Sequence, residues 1–313
     1  MRLLVTGGAG FIGSHLVRAC LDAGDQVRIL DDFSSGSERN LDGIASEVEV
    51  HKASVVDLEA VLRAAYGCEV ILHCAAIASV VRSIEDPVGT AAVNETGTLH
   101  VLEAARRGGT QRVVLASSAA IYGADPTVPK TEDMPARPES PYALHKWVSE
   151  RHCEQFFRLY GVDTVSLRYF NVYGPRQDPL SQYAGVIARF FAAAVSGQPP
   201  TIYGDGHQTR DFVYVGDAVA AARAAARADR ALAGEAVNVA SARGTSLLEL
   251  LGQIAAALGE PVPEPVFAAE RPGDLRHSQA DISRARALLG WSPQVPIEAG
   301  LRETAAYYRG AQE

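Results

Sequence analysis

The sequence predicts an α/β protein: a doubly wound parallel sheet with helices on both faces, joined to a smaller mixed α/β lobe. Three observations predict it. Short apolar, β-rich runs alternate with longer helical patterns as far as residue 170, the pattern of a parallel sheet covered on both sides. Gly7, Gly10 and Gly13 stand between the first such run and the first helical stretch. After residue 170 the texture changes, and Gly, Pro and aromatic residues cluster in NVYGPRQDP and GQPPTIYGDGHQTRDF.

In chain order, strands are predicted at 3–6, 26–30, 47–51, 70–73, 112–116 and 164–168. Helices are predicted near 11–23, 57–66, 88–108 and 142–160, with Asp57 as a helix cap. VILHCAA and RVVLASS are apolar without alternation, as strands buried on both faces should be. Helical spacing resumes near 183–196, 216–229, 246–258, 281–289 and 297–309. The run EAVNVA, 235–240, reads as a strand returning to the main sheet. The expected organisation is a sheet domain of residues 1–170 plus about 211–240, and a lobe of about 171–210 plus 241–313.

The bulk properties narrow the function. The chain has 313 residues, 47% hydrophobic and 21% charged, with a net charge of −8. That balance argues against a nucleic-acid binder, which needs clustered Lys and Arg, but a few placed arginines can still hold a diphosphate. Cys20, Cys68, Cys74 and Cys153 form no CxxC pair, so no metal is expected, and Cys20 and Cys74 read as small core residues. No leader and no membrane span are expected, and a cytoplasmic protein fits the sequence.

The glycine run, MRLLVTGGAGFIGSHLV, places a tight turn at a helix N-terminus. Backbone N–H groups and the helix dipole meet a phosphate there. A missing Cβ lets the backbone approach a pyrophosphate, and Gly13 lets helix pack on strand, the arrangement of a Rossmann-type fold. Asp31, in VRILDDFSSG, ends the next strand and is placed to bond both hydroxyls of an adenosine ribose. It would repel a 2′-phosphate, which favours NAD over NADP.

The stretch SPYALHKWVSE carries Tyr142 and Lys146, at i and i+4 on one helix face. A free Tyr titrates near about 10. A nearby ammonium favours the phenolate, giving a general base for a hydroxyl proton. Upstream, LASSAAIYG puts serines at the carboxyl end of a central strand, where open α/β sheets bind ligands.

With these residues in place, the sequence resembles the extended short-chain dehydrogenase/reductase superfamily and, within it, the nucleotide-sugar 4-epimerases. TGGAGFIGSH, LDDFSSG, HCAA, SSAAIYG, SPYALHK, LRYFNVYGPRQDP, GDGHQTRDFVYVGD and RPGDLRHSQAD match family motifs in order. The resemblance implies a catalytic group of Ser118, Tyr142 and Lys146, with Ser118 rather than Ser117 bonding the sugar's 4-oxygen. It implies NAD contacts from Gly7, Gly10, Phe11, Ile12, Gly13, Asp31, Asp32, Ala75, Asn94, Tyr142, Lys146 and Tyr169. Ser54 and Val55 take the adenine-edge position, where the family often has an acid. Asn171, Val186, Tyr203, Arg210, Arg271 and Asp274 are implied around the substrate's nucleotide, and Ser278 at a position that gates sugar size. It further implies a homodimer, with the 88–108 and 142–160 helices forming a four-helix bundle with the partner's copies.

The reaction is chosen by what is missing. The related sugar 4,6-dehydratases carry an Asp-Glu pair directly after the catalytic hydroxyl, and UDP-glucuronate decarboxylases a Glu at the second position; here these are Ala119 and Ala120. A methyl moves no proton, so 4-epimerisation through a 4-keto intermediate is expected, with NAD retained. Small Ser278 leaves room for N-acetylhexosamines beside glucose and galactose. Hexuronates and dTDP-hexoses remain open: Arg176 fits a carboxylate contact and an ion pair with Asp178 equally well. A net sugar dehydrogenase or reductase and a non-catalytic dinucleotide-binding regulator are the competing readings. His73 reads as a satisfied core residue, His145 as pointing to another helix face, and His207 as loop-borne.

Overall fold

The structure, a computed structural model, describes residues 1–178, 185–270 and 275–310. The chain opens with β1 (Arg2–Thr6), α1 (Phe11–Asp22), β2 (Gln26–Asp31), β3 (Glu49–Lys52), α2 (Leu58–Ala65) and β4 (Val70–His73). It continues through α3 (Val80–Glu85), α4 (Pro87–Ala91), α5 (Gly97–Gly108), β5 (Arg112–Ser118), α6 (Pro141–Tyr160) and β6 (Asp163–Tyr169). The second half holds β7 (Asn171–Tyr173), α7 (Val186–Val195), β8 (Thr201–Tyr203), β9 (Thr209–Tyr214), α8 (Val215–Ala226) and β10 (Glu235–Val239). It ends with β11 (Gly244–Ser246), α9 (Leu247–Leu258), β12 (Val266–Ala268), α10 (Ser283–Leu289) and α11 (Ile297–Gly310).

Seven strands form one parallel sheet in the order β10-β6-β5-β4-β1-β2-β3. The pleat explains the uninterrupted apolar runs. Leu3 and Val5 of β1 pack into a core with Leu16 and Val17 of α1 and Ala222 of α8. Leu4 between them points into the opposite core, with Val61 of α2, Leu102 of α5 and Cys153 of α6. Both faces are thus covered, as parallel sheets require. The strand order reverses between β1 and β4, where the carboxyl ends leave a crevice for a ligand. The return of 235–240 to the sheet is as expected: β10 pairs with β6 at the edge.

Phe170 alone separates β6 from β7. Across it the chain leaves the large sheet for a three-stranded sheet, β11-β9-β7, beside a two-stranded one, β12-β8. These strands are not anticipated by the sequence: four have three residues, too few among Gly and Pro for a readable period, and the six-residue β9 follows the glycines of GDGHQ. Two other expectations shift. The third strand is 49–52 rather than 47–51, because Ala45–Glu47 forms a 3-10 turn. The 88–108 helix is α4 and α5 joined by a π-turn at Ala92–Thr96, and α3 precedes it. Among the described residues, no helix is long and apolar enough to cross a membrane.

Candidate active site

The glycine loop follows β1 directly. Gly7 has φ +69°, which suits glycine, and its N–H donates to the Leu30 carbonyl at 2.8 Å. A Cβ on Gly13 would stand 2.0 Å from the Gly7 carbonyl oxygen, and one on Gly7 2.7 Å from the Ala75 nitrogen. Side chains are therefore barred where α1 meets the loop and where the loop meets the chain after β4. Gly10 caps α1 without a side-chain bond, so the first-turn N–H groups, at Phe11 and Ile12, face the crevice with the positive end of the helix dipole.

Asp31 ends β2 with a second task beside the one expected. Its Oδ2 accepts the Ala9 N–H at 2.9 Å and its Oδ1 the Phe33 N–H at 2.8 Å, tying the glycine loop to β2. Burial pushes its carboxyl above the ordinary range, opposed by those two N–H groups. Burial would also raise Asp32, but bonds from Ser34 and Ser54 overcome it and hold Asp32 below that range. Val55 is buried and packs on Gly97, where a Cβ would meet it at 2.6 Å.

Ala75 donates its N–H to Thr6 Oγ1 at 3.3 Å. Asn94, turned inward by the π-turn, engages one backbone residue with both ends of its amide: it accepts the Ile77 N–H at 2.7 Å and donates to the Ile77 carbonyl at 3.1 Å. Asn94 therefore shapes the loop after β4.

The carboxyl end of β5 separates the two serines as strand alternation demands. Ser117 Oγ donates to the buried Glu150 at 2.6 Å. Ser118 faces the other way, toward the Tyr142 phenol, whose upward shift by burial it opposes, and it accepts the Ala120 N–H at 3.1 Å. Helix α6 starts just before Tyr142 because Ser140 accepts the Ala143 N–H at 3.2 Å and Pro141 fills the first turn. The Tyr142 N–H donates to Ser83 Oγ at 3.0 Å, so α3 helps seat the base.

Lys146 Nζ lies 6.0 Å from the Tyr142 ring centroid and donates to the Ala116 carbonyl at 2.7 Å. Burial brings Lys146 down to about 8, against opposing effects from Cys74 and Glu150. The expectation that its ammonium lowers the phenol is not met in this geometry: burial raises Tyr142, and the opposing cause is the Ser118 hydrogen bond. Tyr169, paired with Ser118 across β5 and β6, completes the floor, its phenol raised by burial.

Beyond Tyr169 the strands lead into a cavity of about 440 Å3. Four residues expected around the substrate, Asn171, Val186, Tyr203 and Arg210, line it together. Arg189, Phe190 and Gln208 line it too and went unread; the available signal was that Arg189 follows Val186 by three on a helix, hence on the same face. Asn171 Nδ2 donates to the Asp211 carbonyl at 3.0 Å, and Arg210 to the carbonyls of Thr209 and Leu275 at 2.8 and 2.7 Å. Ser278 is buried beside this wall, its N–H bonded to the Thr209 carbonyl at 3.1 Å, but it does not line the cavity. Arg271 and Asp274 lie outside the described residues.

Arg176 has φ +67°, and its guanidinium lies on His15 of α1, 2.7 Å from Nδ1. His73 is the satisfied core residue expected, between Thr6 Oγ1 at 2.7 Å and Thr98 Oγ1 at 3.0 Å. Burial takes it down to about 3, so it stays neutral.

A phosphate-ready glycine turn, a half-buried Tyr beside a buried Lys with a serine near the phenol, and a cavity entered just past the carboxyl end of β6 define an extended short-chain dehydrogenase/reductase. The chain belongs to the NAD dependent epimerase/dehydratase family, whose model matches residues 3–240. It is 44% identical to the UDP-glucose 4-epimerase of Mycolicibacterium smegmatis, over 100% of both chains. The crystal structure of the Thermotoga maritima UDP-glucose 4-epimerase with UDP-glucose superposes with a TM-score of 0.94 at 38% identity, covering 100% of each chain. That of the Thermus thermophilus UDP-glucose 4-epimerase in complex with NAD gives 0.89 at 40% identity, covering 99% of this chain and 100% of the other.

Proposed function

We propose that this protein is an NAD-dependent nucleotide-sugar 4-epimerase, converting UDP-glucose and UDP-galactose, or the N-acetylhexosamine equivalents, through a transient 4-ketone. One observation carries the reading. Ser118, at the end of β5, lies beside the Tyr142 phenol and is followed by the methyl groups of Ala119 and Ala120, while two residues past Tyr169 the chain enters the wall of an arginine-lined cavity. The site has a proton acceptor for one hydroxyl and no acid at the two positions that dehydration or decarboxylation would use. The similarity to three UDP-glucose 4-epimerases supports it.

The residues present fit a dinucleotide, because the glycine loop bars Cβ atoms where a diphosphate must approach. Gly7, Gly10, Gly13, Phe11 and Ile12 would hold the diphosphate, Asp31 and Asp32 the adenosine ribose, Ser54 and Val55 the adenine edge, and Ala75, Lys146 and Tyr169 the nicotinamide side. NAD supplies a reversible hydride acceptor there. Tyr142 takes the 4-hydroxyl proton and returns it, Ser118 orients the 4-oxygen and relays the proton, and Lys146 carries the positive charge beside them. Asn171, Val186, Tyr203, Arg210, Arg271 and Asp274 would anchor the nucleotide diphosphate while the ketone turns over. Binding energy placed on the nucleotide leaves the sugar free to present both faces.

In this reading residues 1–170 with about 211–240 bind the cofactor, and 171–210 with 241–313 bind the nucleotide sugar. A homodimer through α4, α5 and α6 is supported by apolar side chains left outside: Val88 is 80% exposed and Leu159 69%. Four free cysteines fit the reducing cytoplasm.

The test is incubation with UDP-glucose, UDP-N-acetylglucosamine, UDP-glucuronate and dTDP-glucose without added cofactor. Interconversion of gluco and galacto epimers with no net NADH is expected. Stoichiometric NADH, a dehydrated or decarboxylated sugar, or no reaction with any of the four overturns the proposal.

A further inference from the structure

Behind the site, on the opposite face of β5 from Ser118, lies an ion pair that no step above uses. Glu150 and Arg168 have side-chain exposures of 0% and 5%. Glu150 Oε1 accepts from Ser117 Oγ at 2.6 Å and Arg168 Nε at 3.0 Å, and its Oε2 from Arg168 Nη2 at 2.8 Å. Each member adjoins a site residue in the chain. Glu150 is one helical turn past Lys146 and two past Tyr142, Ser117 precedes Ser118, and Arg168 precedes Tyr169. The arginine also donates to the Tyr122 hydroxyl at 3.0 Å, and Tyr122 to Asn238 Oδ1 at 2.6 Å, which carries the network to β10. A buried ion pair generally stabilises a fold no more than apolar residues of the same size, so its place beside the base calls for another use.

We propose that Glu150 and Arg168 are a positioning pair for the Tyr142–Lys146 base: they fasten α6 to the carboxyl ends of β5 and β6 and balance the charge felt by Lys146. The proposal rests on the epimerase reading above.

The groups around Lys146 leave Glu150 as the buried charge that bears on it, with Arg168 paired to that charge. Tyr142 and His145 of α6 and Tyr169 of β6 are held toward their neutral forms by burial. His73 of β4 is brought down to about 3 and Cys74 up to about 12, so both are neutral from pH 5 to 10. Ser118 and the Ala116 carbonyl of β5 carry no charge. Glu95 bears on His145. Arg151 Nη2 reaches within 4.0 Å of Glu150 Oε2, but its side chain is 45% exposed and screened by water.

Removing one charge of the pair leaves the other unbalanced, so the two single substitutions act on Lys146 in opposite directions. Glu150→Gln removes an anion and lowers the pH at which Lys146 loses its proton. Arg168→Met removes a cation and raises it. The expected shift is about one pH unit each way, the effect of a unit charge roughly a helical turn distant. The double variant returns close to the wild type. A purely structural pair would weaken the protein in both singles without opposite shifts.

The measurement does not depend on turnover. The chain has three lysines, Lys52, Lys130 and Lys146, so 13C-lysine NMR of the NAD-saturated protein gives three resolvable side-chain signals, with that of Lys146 assigned by its loss in Lys146→Met. Opposite shifts of its midpoint, followed by the alkaline limb of kcat against pH, support the proposal. An unchanged midpoint, or a shift of the same sign in both singles, overturns it even if the protein epimerises sugars. Absence of epimerase activity in the wild type, with opposite shifts present, would instead sink the proposed function. Should the neutral variants not fold, Glu150→Asp and Arg168→Lys keep both charges and carry the test. A kcat loss of ten-fold or more with KM and the limb unchanged supports positioning, and an unchanged kcat overturns it.

Discussion

Tyr142, Ser118 and Lys146 fall where the pattern of the chain says they should. Tyr142→Phe should reduce turnover by a factor of about 10³ or more, the scale of losing a general base with its hydrogen bonds, while purified protein still carries NAD by its absorbance after denaturation. Ser117 and Ser118 are adjacent yet point to opposite faces. Ser118→Ala should therefore cut kcat directly, and Ser117→Ala should leave the sugar's proton path intact. That the two serines stand at the carboxyl end of a central strand was legible in the sequence. Commitment of the Asn94 amide to Ile77 was not, because a π-turn leaves no mark in a 3.6-residue pattern. His73 gives a pH prediction. Its native value near 3 lies below the unfolded value of about 6.5, so the unfolded chain binds the extra proton first. His73 therefore costs nothing above pH 6.5 and destabilises progressively as pH falls from about 6.5 toward 3. His73→Gln should flatten that part of a thermal-stability curve against pH, as followed by circular dichroism.

Among elements, the contrast between the first and second halves is instructive. Strands buried on both faces announce themselves as apolar runs, and α1 and α6 are bracketed by residues with unambiguous roles at their ends. Ser140→Ala should cost about 1 kcal/mol and, because Tyr142 is in the first turn, depress kcat more than Ser246→Ala, which uncaps α9 remote from the base. Gly13→Ala is the severe case, since no rotamer relieves a methyl against the backbone of Gly7. NAD retention should be lost, measured by cofactor content of the purified variant. The small sheets escaped reading because their strands gain their pairing from distant partners: β7 and β9 are joined by contacts between residues 171–173 and 212–214, and no local period foretells them.

For the whole molecule, the parallel sheet, its helical cover and the returning β10 were legible, because alternation of strand and helix restricts topology severely. The cavity was foreshadowed only as separate residues in separate motifs. That Asn171, Val186, Tyr203 and Arg210 converge on it is a product of tertiary structure. A paired chain state should depend on the outer face of α6. Leu159→Glu is expected to convert a dimer to monomer in light scattering coupled to gel filtration, with a concentration-dependent loss of stability.

A single residue, Phe170, spans the passage from large sheet to small one, and its N–H is bonded to the Val239 carbonyl at 3.0 Å. The two sheets are thus pinned at that crossing with almost no slack. Tyr169 on the large sheet and Asn171 on the small one therefore keep one spacing, and a molecule reaching from one to the other would be measured against a fixed rule rather than a flexible joint.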